Sequence, residues 1–228
     1  MSSAAASRQF GEGPLSRAVA LIYRLLVVEL LFLLTAVPGI VPLVLLDRDP
    51  SNLPLAAACA LPLGPAISAA LYALHRHRGD LADLHPAAEF WRGYRANFRP
   101  VLGIWIPWLG WLTVAGLGLA HLDAVGLPGW WAVLLVLAAV WVTLWAANAL
   151  LITTLFTFRV RDVARLAFYF LVRTRGVTLG NACLLVVATG ITALTSEAVL
   201  ALLGSVLALL LLRTGRPMTN AIQEEFTA

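Results

Sequence analysis

Lysine is absent from this chain, and charged residues of every kind are scarce. All 16 basic residues are arginine, and Asp, Glu, Lys and Arg together make up only 12% of the 228 residues. Soluble domains carry about 25% charged residues, so the composition excludes a soluble globular domain. Only two cysteines occur, Cys59 and Cys183, each within an apolar run. We predict that they are small packing residues and form neither a disulfide nor a metal site.

Sequence motifs of catalysis are also absent. The chain contains no Walker motif, no Gly-x-Ser-x-Gly and no His-Glu-x-x-His. We therefore predict no catalytic residues, no cofactor and no enzyme activity. The polar segment His75–His85 holds three histidines and two aspartates, but it separates two apolar segments. We interpret it as a solvated turn and predict no metal there.

What the chain has in abundance is apolar sequence. Hydrophobic residues make up 61% of it, and its mean hydropathy is +0.87. These values predict an all-α, polytopic α-helical membrane protein with six transmembrane helices, or five if the last two apolar runs do not both cross. A single transmembrane domain is expected over residues 17–213, between a disordered N-terminus (1–16) and a tail (214–228). The expected crossings are Leu21–Leu46, Leu53–Leu74, Pro100–Ala120, Trp130–Phe158, Val177–Ala193 and Ser196–Leu212.

Arginine is distributed unequally between the loops. With the crossings above, every arginine except Arg48 falls on one side of the membrane. The positive-inside rule places that side, and with it both chain termini, in the cytoplasm. The same asymmetry accounts for the pI of about 9.7 without a nucleic-acid partner. A cleaved signal peptide is not expected, because the first apolar stretch is far longer than a signal-peptide core.

Two segments on the arginine-rich side combine arginines with aromatic residues at helical spacing. We predict that both are amphipathic helices lying in the headgroup layer, in contact with anionic lipids or with a protein partner. The first, Pro86–Phe98, offers Phe90, Trp91, Arg92, Tyr94, Arg95, Asn97 and Phe98; the second, Val160–Arg175, offers Arg161, Arg165 and Arg173. A shift of about 80 residues aligns the two segments and sets Phe90 against Phe170, which suggests a weak parallel internal repeat.

A few polar or helix-breaking residues lie inside the crossings. Glu29 is a hypothetical proton or substrate ligand; alternatively its carboxyl pairs with Arg24 or with a hydroxyl of a neighbouring helix. Asn148 and Asn181 are expected to connect helices by hydrogen bonds. Pro62 and Pro65 interrupt the second crossing and predict either a packing kink or a broken helix that lines a cavity.

The stretch from Pro65 to Phe98 resembles the YesL family, a group of bacterial membrane proteins known as domain of unknown function 624. The resemblance rests on Pro65-Ala66 with small residues and Tyr72 after them, on Arg76 and the Gly79-Asp80 turn, and on Phe90-Trp91-Arg92-x-Tyr94-Arg95-x-Asn97-Phe98. With the pattern of spans, it extends over about residues 15–215. It implies a bacterial plasma-membrane protein that serves carbohydrate uptake beside ABC-type transporters, and it names no catalytic residues.

Three functions fit these features. The first is an accessory or regulatory subunit that docks on an ABC-transporter permease through the two arginine-aromatic helices, with a homo-oligomer as the other partner to consider. The second is an independent small-molecule transporter or channel that uses Glu29 and the broken second crossing. The third is a structural protein that binds anionic lipids. No nucleic acid is expected as a partner.

Overall fold

A computed structural model describes residues 14–75, 85–126 and 128–226, and all regular structure in these ranges is helical. This confirms the all-α class. The loop residues Arg76, His77, Gly79, Asp80 and Asp83 and the first 13 residues lie outside the described ranges. The helices are α1 (Pro14–Leu45), a 3-10 turn (Pro50–Asn52), α2 (Leu53–Cys59), α3 (Leu63–His75), α4 (Pro86–Ala120), α5 (Leu122–Val125), α6 (Trp130–Leu155), α7 (Val160–Arg173), α8 (Arg175–Leu194), α9 (Glu197–Ala201) and α10 (Gly204–Phe226).

Within the described part of the chain, four helices are long and apolar enough to cross a membrane. They are α1 from Ala18 onward, α4, α6 and α8. The segment Pro50–Cys59 and helix α3 add a fifth crossing if they are taken together as one span bent by 42°. The protein is therefore a polytopic membrane protein, and the count of five agrees with the structure better than the count of six.

The sixth expected crossing, Ser196–Leu212, is divided in the structure. Its first residues form the five-residue helix α9, whose N-terminus is capped by the hydroxyl of Ser196. From Gly204 onward the chain belongs to α10, which continues without a break to Phe226 and carries Arg213 and Arg216 near its middle. The tail expected from residue 214 is therefore helical, and the apolar run before it is too short to be a crossing by itself.

The break between α2 and α3 leaves a backbone carbonyl that is hydrogen-bonded by other groups of the protein. Proline at position 62 cannot donate a backbone hydrogen bond, so the helix is interrupted there. The carbonyl of Ala60 accepts hydrogen bonds from the indole Nε1 of Trp105, at 3.0 Å, and from the backbone of Leu63, at 3.2 Å. A side chain of α4 thus compensates for the break, as a membrane interior requires.

Helix α4 differs from the expectation of an interfacial helix followed by a separate span. It is one continuous helix of 35 residues, about 50 Å long at ~1.5 Å per residue, against a hydrocarbon thickness of about 30 Å. Its buried residues are spaced by three or four positions on each side of Pro100 and by eight positions across it, so they share one face of the helix and keep both halves against the bundle. The stripe consists of Pro86, Phe90, Gly93, Val101 and Ile104.

Close packing against α3 holds the first part of α4. A Cβ atom built on Gly93 would lie only 2.7 Å from the Cβ atom of Tyr72, so only glycine permits this approach. Asn97 donates from Nδ2 to the carbonyl of Thr154 near the end of α6, at 3.4 Å. The segment Pro86–Phe98 is thus docked on the helix bundle and does not lie flat on a bilayer.

The arginine-bearing segments meet at one end of the bundle, called here the arginine-rich end. It holds the start of α1 and of α4, the ends of α3 and α6, helix α7, and the end of α10. Arg24 pairs with Glu89 there, and Arg173 pairs with Glu225 at 2.8 Å. At the opposite end Arg48 pairs with Glu197 at 3.3 Å. Beside it, hydrogen bonds from the hydroxyl and then the backbone of Ser51 lower the pKa of Asp49.

Candidate functional site

Glu29 is bound to the start of α10. Its Oε2 atom accepts a hydrogen bond from the backbone N–H of Ser205 at 2.6 Å, while Oε1 is buried without a partner among the described residues. A carboxylate at a helix N-terminus is stabilised by the free N–H groups and by the helix dipole. In the described part of the chain neither Arg24 nor a hydroxyl is the hydrogen-bond partner of Glu29, which contradicts both pairings considered from the sequence. The hypothesis of a transport ligand stays untested.

A glycine allows α10 to reach this carboxylate. A Cβ atom on Gly204 would come within 2.4 Å of the Cε1 atom of Phe32, which lies on the same face of α1 as Glu29. Sequence reasoning did not locate this contact, because the start of α10 lies inside an uninterrupted apolar run. The pair Gly204-Ser205 within that run is the signal that could have indicated a helix start.

Arg24 is bound instead to Glu89 at the beginning of α4, where its Nη2 donates to Oε2 of the carboxylate. The side chain of Arg24 is 6% exposed and that of Glu89 is 22% exposed. The Nε atom of Arg24 is buried and has no hydrogen-bond partner in the ranges that the structure describes. This buried ion pair connects α1 to α4 at the arginine-rich end.

Asn148 and Asn181 connect α6 to α8, as expected. The Nδ2 atom of Asn181 donates to Oδ1 of Asn148 at 2.9 Å, and the second amide atom of each residue is buried with no partner among the residues that the structure describes. Asn181 and Glu197 also line a cavity of about 280 Å³ among α6, α8, α9 and α10. Most of the lining side chains are apolar, including Phe32, Leu184 and Leu185. Thr143, Asn181 and Glu197 are the polar side chains among its described lining residues.

Pro62 and Pro65 do not line this cavity. Pro65 is buried inside the bundle, and Pro62 belongs to the bend whose carbonyl Trp105 satisfies. The crossing is nevertheless broken by a 42° bend, and Ile67 of α3 lines the cavity, so both interpretations made from the sequence stay open.

The aromatic residues at the start of α4 do not share one lipid-facing side. Phe90 is fully buried, whereas Trp91 and Phe98 are exposed and Tyr94 is half-buried between them. The prediction of a common apolar face is therefore wrong for Phe90, because this face packs on the bundle. Arg92 and Arg95 are exposed, as predicted, and Asn97 is half-buried by its bond to α6.

Helix α7 is amphipathic, as predicted. Its buried residues Val163, Ala167, Phe170 and Leu171 recur at helical spacing against α6. The indole of Trp145 in α6 also donates to the backbone carbonyl of Ala164 at 3.0 Å. Phe170, like its counterpart Phe90 under the 80-residue shift, is fully buried. The internal repeat nevertheless stays a prediction, since a break at Thr174 separates α7 from α8 while α4 is continuous.

The other face of α7 presents arginines and apolar side chains together. Arg161 and Arg165 are exposed, and so are the side chains of Phe168 and Val172. Arg173 donates to the hydroxyl of Tyr169 and lies 5.3 Å from the centre of its ring. The hydrogen bond with Tyr169, and then the charge of Glu225, raise the pKa of Arg173. This side chain therefore stays charged and fixed between α7 and α10.

Residues 25–119 match the family described as "Protein of unknown function, DUF624". The matched residues include the broken crossing and the Phe90–Phe98 segment, so the match supports assignment to that family and agrees with the resemblance drawn from the sequence. The helices from α6 onward lie beyond the matched residues. Neither a curated protein nor a solved structure matches the chain.

Proposed function

We propose that this DUF624 protein is a non-catalytic accessory subunit of carbohydrate uptake in the bacterial plasma membrane. In this proposal it docks on the permease of an ABC-type transporter, and the arginine-rich end faces the cytoplasm, as the positive-inside rule favours. The carbohydrate context comes from the family resemblance. The contact surface is proposed from the geometry of α7.

One observation supports the outer face of α7 as the docking surface: this helix packs on the bundle with one face and exposes the other. Phe168 and Val172, one turn apart, are 55% and 58% exposed, and Arg161 and Arg165 lie on the same outer side. Aromatic residues and arginine are enriched in protein interfaces, where they supply buried area and directional hydrogen bonds. The same arginines suit the phosphates of anionic lipids, which are the second partner we propose for this face.

Removing the exposed apolar pair should release the partner. We expect the double substitution Phe168→Ala with Val172→Ala to reduce recovery of the permease from native membranes by about tenfold, equivalent to ~1.4 kcal/mol. The measurement is affinity purification of the tagged full-length protein after mild solubilisation, with the permease quantified by mass spectrometry. The fold is expected to survive, because neither side chain belongs to the core.

Helix α6 offers a matched control. Val133 and Leu137 are also one turn apart, and they are 58% and 59% exposed. The double substitution Val133→Ala with Leu137→Ala should leave permease recovery unchanged. If the wild-type protein brings down no permease, or only further copies of itself, the accessory-subunit proposal is wrong. Equal losses of permease recovery in the two double variants would show that α7 is not the contact surface.

Transport is the second candidate, and the unpartnered Oε1 atom of Glu29 is the observation that favours it. A buried carboxyl oxygen without a hydrogen bond is costly and is suited to a proton or a solute hydroxyl. If the protein transports, Glu29→Gln should abolish uptake of a radiolabelled monosaccharide into proteoliposomes, whereas Glu224→Gln at the exposed end of α10 should not. Undiminished uptake in the Glu29→Gln variant would rule out this pathway.

A further inference from the structure

A second cavity, of about 590 Å³, lies at the arginine-rich end among α1, α3, α6 and α10. Three of its described lining residues are arginines, namely Arg24, Arg213 and Arg216, and none of the described lining residues is Asp or Glu. Five leucines form the apolar part of the wall: Leu21, Leu74, Leu155, Leu209 and Leu212. The cavity therefore combines concentrated positive charge with an apolar wall, unlike the smaller cavity among α6, α8, α9 and α10.

Helix α10 supplies most of this lining from one face. Its contributing residues recur every three or four positions from Leu209 to Gln223, as one face of a helix does. Arg213 and Arg216 are one turn apart on this face and exposed, and neither is paired with a carboxylate among the described residues. The hydroxyl of Thr219 bonds to the carbonyl of Arg216 and leaves the guanidinium uninvolved. Two arginine side chains are thus available to a ligand.

Arg24 is the third arginine that lines the cavity. It differs from Arg213 and Arg216 because its side chain is buried and held in place. Its bond to Glu89 holds the guanidinium in place and offsets its charge, yet its Nε atom remains without a partner among the described residues. That nitrogen is buried, so Arg24 contributes a fixed side chain to the cavity wall. The guanidinium groups that are open to a ligand are those of Arg213 and Arg216.

We propose that this cavity binds a phosphate group. The planar guanidinium matches phosphate oxygens in bidentate geometry, and the two arginines without carboxylate partners balance the roughly −1.5 to −2 charge of a phosphate monoester at neutral pH. The leucines accommodate the carbon skeleton attached to the phosphate. That skeleton belongs either to a soluble phosphate ester or to a lipid whose headgroup enters from the adjoining leaflet. The site is separate from the α7 surface and does not depend on the docking proposal.

The test measures binding to the full-length protein in a non-ionic detergent free of phosphate. Glycerol 3-phosphate is titrated as the soluble probe, glycerol as its uncharged counterpart, and dihexanoyl phosphatidic acid as the lipid that carries the same phosphate. Isothermal titration calorimetry is expected to show binding of a phosphate-bearing probe and none of glycerol. Comparable affinities for the two phosphate probes would identify a soluble ester as sufficient, and binding of the lipid alone would identify a lipid headgroup.

Charge-matched variants assign the binding to the cavity. Arg213→Gln with Arg216→Gln should weaken binding at least about tenfold. Arg99→Gln with Arg159→Gln removes the same charge from two exposed positions that do not line the cavity and lie outside the exposed face of α7, and it should leave the affinity unchanged. A thermal melt of each variant checks that the fold is retained. Absence of binding by both phosphate probes, or equal weakening in the two double variants, would overturn the proposal.

Discussion

Replacement of Glu89 by alanine is expected to destabilise the protein by about 3–5 kcal/mol, which is the cost of leaving a buried charge without its partner. Arg24 is 6% exposed, and Glu89 supplies its only hydrogen bond among the described residues. The contact also joins α1 to α4, so its loss loosens two crossings. Reversible unfolding by sodium dodecyl sulfate in mixed micelles would measure the change in unfolding free energy.

The exposed ion pair at the opposite end is the matched control. Arg48 and Glu197 are 71% and 31% exposed, and such pairs contribute about 0–1 kcal/mol. Glu197→Ala should therefore have a small effect. Combining Glu89→Ala with Arg24→Met should recover stability, because the uncompensated charge is then gone. A small effect of Glu89→Ala would mean that Glu89 does not compensate a buried charge, and no recovery in the double variant would mean that the lost stability does not come from the uncompensated charge of Arg24.

The second large effect is expected at Phe90. This side chain is fully buried where α4 packs on the bundle, and truncation of a buried phenylalanine to alanine costs about 3–5 kcal/mol. We expect Phe90→Ala to lower the unfolding free energy by about 3 kcal/mol, since much of the cost comes from the cavity left behind. The same detergent titration would measure it.

The neighbouring residue Trp91 provides the comparison. It lies one position further along α4 but is exposed, so Trp91→Ala should cost less than about 1 kcal/mol. The two positions would behave alike if the segment lay flat on the bilayer with both rings in lipid, as the sequence pattern suggested. Equal effects would therefore contradict the docked arrangement of α4, and a large difference would support it.

Helix class, most crossings and the amphipathic face of α7 could be predicted from the sequence. These properties depend on each side chain's own preference for lipid, headgroups or water, and that preference does not require knowledge of distant residues. Arg161 and Arg165 are exposed and Phe170 is buried in the structure because a spacing of three or four residues defines the face of an isolated helix. The prediction of an Asn148–Asn181 connection has the same basis, since a buried amide in a membrane needs a partner.

Tertiary structure determines which partner each polar group contacts. It also determines whether a helix continues past a proline. From the sequence, a separate crossing was expected to begin at Pro100. In the structure the buried stripe from Phe90 to Ile104 packs on α3, and α4 is continuous through Pro100. Glu29 lies 176 positions from Ser205, and Arg24 lies 65 positions from Glu89. The cavity lined by Arg24, Arg213 and Arg216 likewise forms only where α1 and α10 meet. Such contacts depend on the packing of whole helices, which hydropathy and charge along one chain do not specify.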